Sequence, residues 1–184
     1  TYAFQRDRYW LESPAGAGDV GSAGLVTADH PLLGAVVPLP ETGGLVCTGA
    51  LSLRTHPWLA DHSLLGTVLV PGTALVELAL QAGAHAGRPV LDELTLEAPI
   101  VLPESGGIQV QVVVGASGEV TVHSRLSGSE DPWTRNASGV LGTTAAEGLA
   151  LTEWPPPGAT AVELDGAYAA LAERGFGYGP AFQG

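Results

Sequence analysis

Asp61-His62-Ser63-Leu64-Leu65-Gly66-Thr67-Val68-Leu69-Val70-Pro71-Gly72 runs directly into Thr73-Ala74-Leu75-Val76-Glu77-Leu78-Ala79-Leu80-Gln81-Ala82-Gly83-Ala84, and the second half of this stretch decides the fold. Apolar residues cover nearly the whole circumference of a helix over Thr73 to Ala84. Glu77 and Gln81 are left on one narrow polar stripe at i, i+4. Such a helix is stable only when other elements wrap it. The fixed φ of Pro71 suits a first helical position, and the backbone N–H groups after it, beginning at Gly72, have no partner within the helix. They form a patch of partial positive charge, suited to a carbonyl oxygen that becomes negative during a reaction. Gly72 has no side chain, so a ligand has close access to its amide.

His62 lies nine residues before Pro71, and apart from Ser63 and Thr67 the residues between them are apolar or glycine. Gly66 lets that segment fold back on itself. An imidazole is largely neutral at cellular pH and is therefore a usable base. A neutral base beside an oxyanion site is what removal of a proton α to a carbonyl requires.

The rest of the chain supplies the wrapping. Leu45 to Leu53 alternates loosely after the turn-like Glu41-Thr42-Gly43-Gly44 and reads as a strand. Four further strand candidates come after the helix: Val90 to Leu102, Ile108 to Val114, Val120 to Leu126 and Trp133 to Leu141. Gln109, Gln111 and Val113 alternate with Ile108, Val110, Val112 and Val114, a period of two. Turns fall at Pro103 to Gly107, Gly115 to Gly118 and Gly128 to Pro132. Gly83 and Gly87 loosen the helix end and Arg88-Pro89 stops it. A strand, a long apolar helix and an antiparallel meander describe an α+β unit in which one sheet curls around one helix. Thr143 to Thr160 carries Trp154-Pro155-Pro156-Pro157 and reads as a linker, and Leu164 to Arg174 has helical spacing, with Leu164, Ala167, Tyr168 and Leu171 on one face. At the other end, residues 1–11 mix aromatics with Arg6 and Arg8 and read as a segment packing on a neighbouring domain. Glu12 to Ala28 is rich in Gly, Ala, Ser and Pro and reads as a flexible linker.

Composition narrows the function. The 184 residues carry a net charge of −12, with seven Arg and no Lys, which argues against nucleic acid as a partner. No apolar run approaches the roughly 20 residues of a membrane span, and the N-terminal residues do not form a secretory signal. Cys47 is the one cysteine, so an internal disulfide and a multi-thiolate metal site are both excluded, and a reducing, cytoplasmic setting is the simple reading. Cys47 lies within a strand pattern and reads as a small buried apolar residue. No His pair has metal-ligand spacing supported by a carboxylate, so no metal site is expected. His30 and His56 each precede Pro and read as turn residues, whereas His85 and His123 read as helix-end and strand-surface positions. Ser63 is surrounded by no nucleophile elbow. Asp61, adjacent to His62, reads as a loop or cap carboxylate.

His62, Gly66 and Pro71 match the three fixed positions of His-x-x-x-Gly-x-x-x-x-Pro, and in this the chain resembles the dehydratase domains of modular type I polyketide synthases. The resemblance recurs in order along nearly the whole chain. Tyr2 to Leu11 resembles the end of the linker after an acyltransferase domain, and His30-Pro31-Leu32-Leu33-Gly34 resembles the N-terminal signature of the dehydratase. Asp92 to Pro103 resembles its long central strand, and Gly175 to Gly184 its Tyr-Gly-Pro-x-Phe element.

The resemblance implies a double hot-dog fold, of which this chain holds the first half. Residues 1–28 would be the post-acyltransferase linker, 29–143 the N-terminal hot-dog, 144–163 the inter-hot-dog linker and 164–184 the start of the second hot-dog. It implies removal of water from a β-hydroxyacyl thioester, with His62 taking the α-proton and the Gly72 amide holding the thioester carbonyl. Tyr178 would face the substrate, with Gly66, Pro71, Gly179 and Pro180 shaping the binding surface. No cofactor is bound directly, the substrate riding on the phosphopantetheine of an acyl carrier protein. Further partners implied are the acyltransferase and ketoreductase domains of the same polypeptide, the second hot-dog half and a second copy in a homodimer. An Asp from the second hot-dog helix would protonate the departing hydroxyl. That motif falls well after Tyr-Gly-Pro in the family, and Asp165 precedes Tyr178, so the chain is expected to carry only the His half of the pair. The competing readings are a non-catalytic spacer or dimerisation module, as in a decayed dehydratase, and a hot-dog enzyme that shifts an enoyl double bond. The 184-residue chain alone is expected to give no detectable dehydration of a β-hydroxyacyl thioester. Mass spectrometry of the thioester after incubation checks this, and an enoyl product would overturn it.

Overall fold

The computed structural model describes residues 20–144, 152–162 and 165–183. Its centre is the apolar helix α1, Gly72–His85, whose residues Ala74, Leu75, Leu78, Ala79, Ala82 and Gly83 are buried. Pro71 is the residue before the helix and not its first turn, with an extended ψ of 144°, so Gly72 opens the helix. That corrects the placement expected for Pro71 by one position. The fixed φ still orients the entering chain, but its missing N–H lies outside the helical ladder.

Around α1 curls a seven-stranded, wholly antiparallel sheet. Its strands are β1 (Val26–His30), β2 (Leu33–Leu39), β3 (Gly44–Leu51), β6 (Val90–Leu96), β7 (Ile108–Val114), β8 (Glu119–Leu126) and β9 (Thr134–Gly142), in the spatial order β1-β2-β3-β7-β8-β9-β6. The clearest alternation is in β7, where Ile108, Val110, Val112 and Val114 are buried while Gln109, Gln111 and Val113 are partly exposed. Val120 and Val122 of β8, Ala137 and Leu141 of β9 and Cys47 of β3 complete the surface against the helix. Each fully buried Val or Leu there contributes roughly 1.5–3 kcal/mol relative to exposure. This is the hot-dog arrangement.

A second, three-stranded sheet has the order β10-β4-β5 and consists of β4 (His62–Leu64), β5 (Thr67–Val68) and β10 (Phe176–Tyr178). A short helix α2, Ala167–Glu173, precedes β10, with Ala167, Tyr168 and Leu171 half-buried and its other residues exposed. Leu164, expected on the same face, lies outside the described residues, as do Gly184 and the segment 1–19 with its acyltransferase-linker resemblance. Residues 152–162 contain no helix or strand, in keeping with their prolines.

Besides β2, β4, β5 and β10, which the sequence reading does not mark as strands, two stretches depart from it. Residues 20–28, read as the end of a flexible linker, hold a 3-10 turn at Val20–Ala23 and the start of β1 at Val26. Val-Thr-Ala-Asp-His is too short and too polar for its alternation to reveal it, and only Ala28 is buried. It becomes a strand because β2 offers a ladder, and its register slips between Thr27 and His30 around Asp29, whose φ is +49°. The strand expected over Val90 to Leu102 ends at Leu96. Pro99 has no N–H to donate, and the chain bends there: the amides of Glu97 and Ala98 both donate to Asn136 O, and Asn136 Nδ2 donates to Ala98 O. Residues 100–102 then leave β9 and pair with the chain beside β5, Val70 N–H donating to Ile100 O at 2.9 Å and Leu102 N–H to Val68 O at 3.0 Å.

Leu78 is fully buried at the centre of α1. Leu78→Ala is expected to destabilise the fold by about 2–5 kcal/mol, read as a lower urea midpoint at unchanged slope.

Candidate functional site

β4 and β5 are joined by the two-residue turn Leu65-Gly66, with φ of +50° and +80°. Both positive values match the tight hairpin turn whose twist suits antiparallel strands, and glycine takes the second position without a Cβ penalty. Gly66 therefore acts on the backbone: it is exposed at the hairpin tip and is not part of the cavity wall that includes His62.

The hairpin turns the chain so that Leu69 returns to His62. Leu69 N–H donates to His62 O at 3.1 Å, and His62 Nδ1–H donates to Leu69 O at 2.9 Å. A backbone carbonyl only accepts, so the proton must sit on Nδ1 and the lone pair on Nε2. In the neutral ring this leaves Nε2 as the free acceptor and no place for a carboxylate at Nδ1.

The half-buried His62 and Gly72 line one cavity of about 320 Å³, whose wall also includes Leu96, Ala98, Pro99 and Ile100. The bend at Pro99 builds that wall. The first turn of α1 begins with Ala74 N–H donating to Pro71 O, so the amides of Gly72 and Thr73 precede the ladder. A Cβ on Gly72 would come within 2.9 Å of Leu96 Cδ1. Pro71 lines a separate apolar slot of about 420 Å³ together with Trp58, Leu32 and Phe182.

Tyr178 reaches His62 from the other end of the chain. β10 pairs antiparallel with β4 in the register Phe176↔Leu64, Gly177↔Ser63, Tyr178↔His62. The Tyr178 and His62 rings stack at 5.6 Å, and Phe182 tilts onto His62 at 5.1 Å and stacks on Trp58 at 6.1 Å. Gly179 N–H donates to Asp61 O at 2.8 Å, and a Cβ on Gly179 would collide with Asp61 Oδ1. Pro180 opens the 3-10 turn Pro180–Phe182. Of the residues singled out from sequence, the structure thus gathers His62, Gly72, Tyr178, Gly179 and Pro180 around the hairpin. Phe182 was visible only as the last letter of a motif. Its contact with His62 depends on a fold-back that no local pattern announces.

The remaining candidates hold structure together. His30 Nδ1 accepts from Leu32 N–H, leaving its Nε2 3.4 Å from Glu77, while His85 Nε2–H and Gln81 Nε2 donate to Ala28 O. The polar stripe of α1 therefore pins β1. His56 Nε2–H donates to Pro31 O, fixing the turn after β1. Ser63 Oγ donates to Gly177 O, a strand contact. Glu97 accepts from Ser138 Oγ at 2.6 Å and Arg135 Nε at 2.8 Å, and these two bonds hold its carboxyl below the usual range. His123 on β8 pairs with Arg135 on β9, and burial, aided by that cation, lowers its pKa. Among the described residues no group of three or more His, Cys, Asp or Glu is placed to hold a metal ion, and no helix is long and apolar enough to cross a membrane.

The profile of a family described as polyketide synthase dehydratase domain matches residues 30–125. The chain is 57% identical over its full length to Polyketide synthase GfsA of Streptomyces halstedii, and 51% identical to Pikromycin polyketide synthase component PikAII of Streptomyces venezuelae. It spans only 3% and 5% of those two proteins. Among solved structures it is similar to the dehydratase domain from the terminal module of the rifamycin polyketide synthase, with a TM-score of 0.81, 54% identity, and coverage of 88% of this chain and 62% of that one. It is likewise similar to the erythromycin dehydratase, with a TM-score of 0.81, 43% identity, and coverage of 90% of this chain and 64% of that one.

Cys47 is fully buried, and desolvation pushes its thiol from an ordinary 9.0 up to about 11. The native protein at pH 8 is expected to resist iodoacetamide while the urea-unfolded chain reacts. Because the folded value is the higher one, the associated stability is present below pH 9.0 and is lost as the pH rises towards about 11.

Proposed function

The chain belongs to the polyketide synthase dehydratase family, and from that premise we propose that it supplies the base for eliminating water from a β-hydroxyacyl thioester. The observation carrying this reading is that His62 and Gly72 line one cavity while His62 Nδ1–H is committed to Leu69 O, so Nε2 holds the free lone pair. In this scheme Nε2 takes the α-proton and the Gly72 N–H donates to the thioester oxygen as negative charge grows on it. The electron pair left on the α-carbon forms the new double bond as the C–O bond to the β-hydroxyl breaks. A proton delivered to that oxygen completes a water molecule and leaves an α,β-unsaturated thioester.

The proton donor has no candidate among the described residues of the cavity. Glu97 is the one carboxylate there, and with Ser138 and Arg135 holding it ionised it has no proton to give. In this reading the acid is the Asp expected from a second hot-dog, and the His half is inactive by itself. Tyr178, stacked on the base, positions the β-hydroxyacyl group. The substrate arrives on the phosphopantetheine of an acyl carrier protein. Tethering on the same polypeptide as acyltransferase and ketoreductase domains makes the encounter efficient despite the chain's negative charge, and a homodimer of the whole is part of the same reading.

In the synthase polypeptide that carries this chain, His62→Ala and His62→Phe are expected to cut dehydrated product by about 10²- to 10⁴-fold, with the β-hydroxy thioester accumulating. Product at the parent level from either variant would overturn the assignment.

A further inference from the structure

We propose that Asp61 is a positioning residue for the base, docking Tyr178–Phe182 against the His62 ring by capping the turn that presents Phe182; this rests on the function proposed above. The pairing of β10 with β4 ends at Tyr178, so the backbone ladder does not hold residues 179–182. Two bonds to Asp61 take over there: Gly179 N–H donates to its carbonyl at 2.8 Å, and Ala181 N–H donates to Oδ2 at 2.9 Å. Ala181 is the second residue of a 3-10 turn, where an N–H lacks a partner within the turn, and Gly179, just before it, contributes no side-chain cap. A carboxylate from a residue 120 positions away fills that role. Phe182, one residue further, is the ring lodged between His62 and Trp58.

The geometry excludes the other role open to a carboxylate beside a catalytic histidine. A carboxylate that orients an imidazole accepts from its Nδ1–H, and here that proton is given to Leu69 O. Asp61 thus reaches the ring through the turn, not through charge. What the turn needs from it is an acceptor oxygen, which an amide also provides.

The test compares Asp61→Ala, Asp61→Asn, Phe182→Ala and the Asp61→Ala/Phe182→Ala double variant in the whole synthase polypeptide, with His62→Ala in parallel. Loss of the cap lets the Tyr178 and Phe182 rings shift against His62, and misplacement by about 1 Å costs on the order of 10²-fold. Asp61→Ala is therefore expected to lower kcat ten- to a hundredfold, about as Phe182→Ala does, with the pH–rate profile unmoved. Asp61→Asn should stay within about threefold of the parent and the double variant should match the worse single one, since both act by one route. The proposal is overturned if Asp61→Ala is as active as the parent, if Asp61→Asn is as impaired as Asp61→Ala, or if the two losses multiply in the double variant. Should Asp61→Ala melt below the assay temperature, Asp61→Asn against Phe182→Ala decides alone, and equal losses overturn it. Parent-level activity of His62→Ala would instead defeat the dehydration reading. Loss in His62→Ala with none in Asp61→Ala defeats only the role given to Asp61.

Discussion

An apolar helix that cannot meet water dictates this molecule. Ala74, Leu75, Leu78, Ala79 and Ala82 are buried on α1, and removing them from solvent needs a surface that reaches around the helix. A twisted antiparallel sheet of seven strands does so by curling, which brings β6 beside β9 at one margin and leaves β1 at the other. The polar stripe of α1 then falls opposite β1, where Gln81 and His85 share the Ala28 carbonyl. The register of the whole wrap is thus set by which side of the helix stays polar.

The site arises from the same constraint. A wrapped helix has one end where the sheet must open to let the chain in, and there the first amides of α1 meet the hairpin bearing His62. In the proposed reading, proton removal beside a carbonyl draws on a fixed tautomer, a helix end and an apolar wall. The aromatic side chains of Tyr178 and Phe182 close over the ring from a segment far along the chain.

Much of this was legible in the sequence. α1 and β7 announce themselves because their faces repeat at helical and strand periods, and His62, Gly66 and Pro71 stand at a diagnostic spacing. β1 did not, because Val26–His30 is short and mixed and becomes a strand only beside β2. The break after Leu96 was hidden in an otherwise continuous run. Pro99 hints at it, but the Asn136 contacts that fix the bend come from β9. The lock on His62 Nδ1 was equally invisible, since it depends on a hairpin returning a particular carbonyl. Long-range partners such as Asp61 and Ala181 leave no local pattern at all.

The bend at Pro99 adds a direct backbone link between the two sheets. By leaving β9 and bonding to Val68 and Val70, residues 100–102 tie the large sheet to the hairpin of the small one, and the cavity lies along that seam. Its width is therefore a gauge of how far apart the two sheets stand. Any strain that slides one past the other must change the gap between the imidazole and the opposing apolar wall before it disturbs either sheet's own ladder.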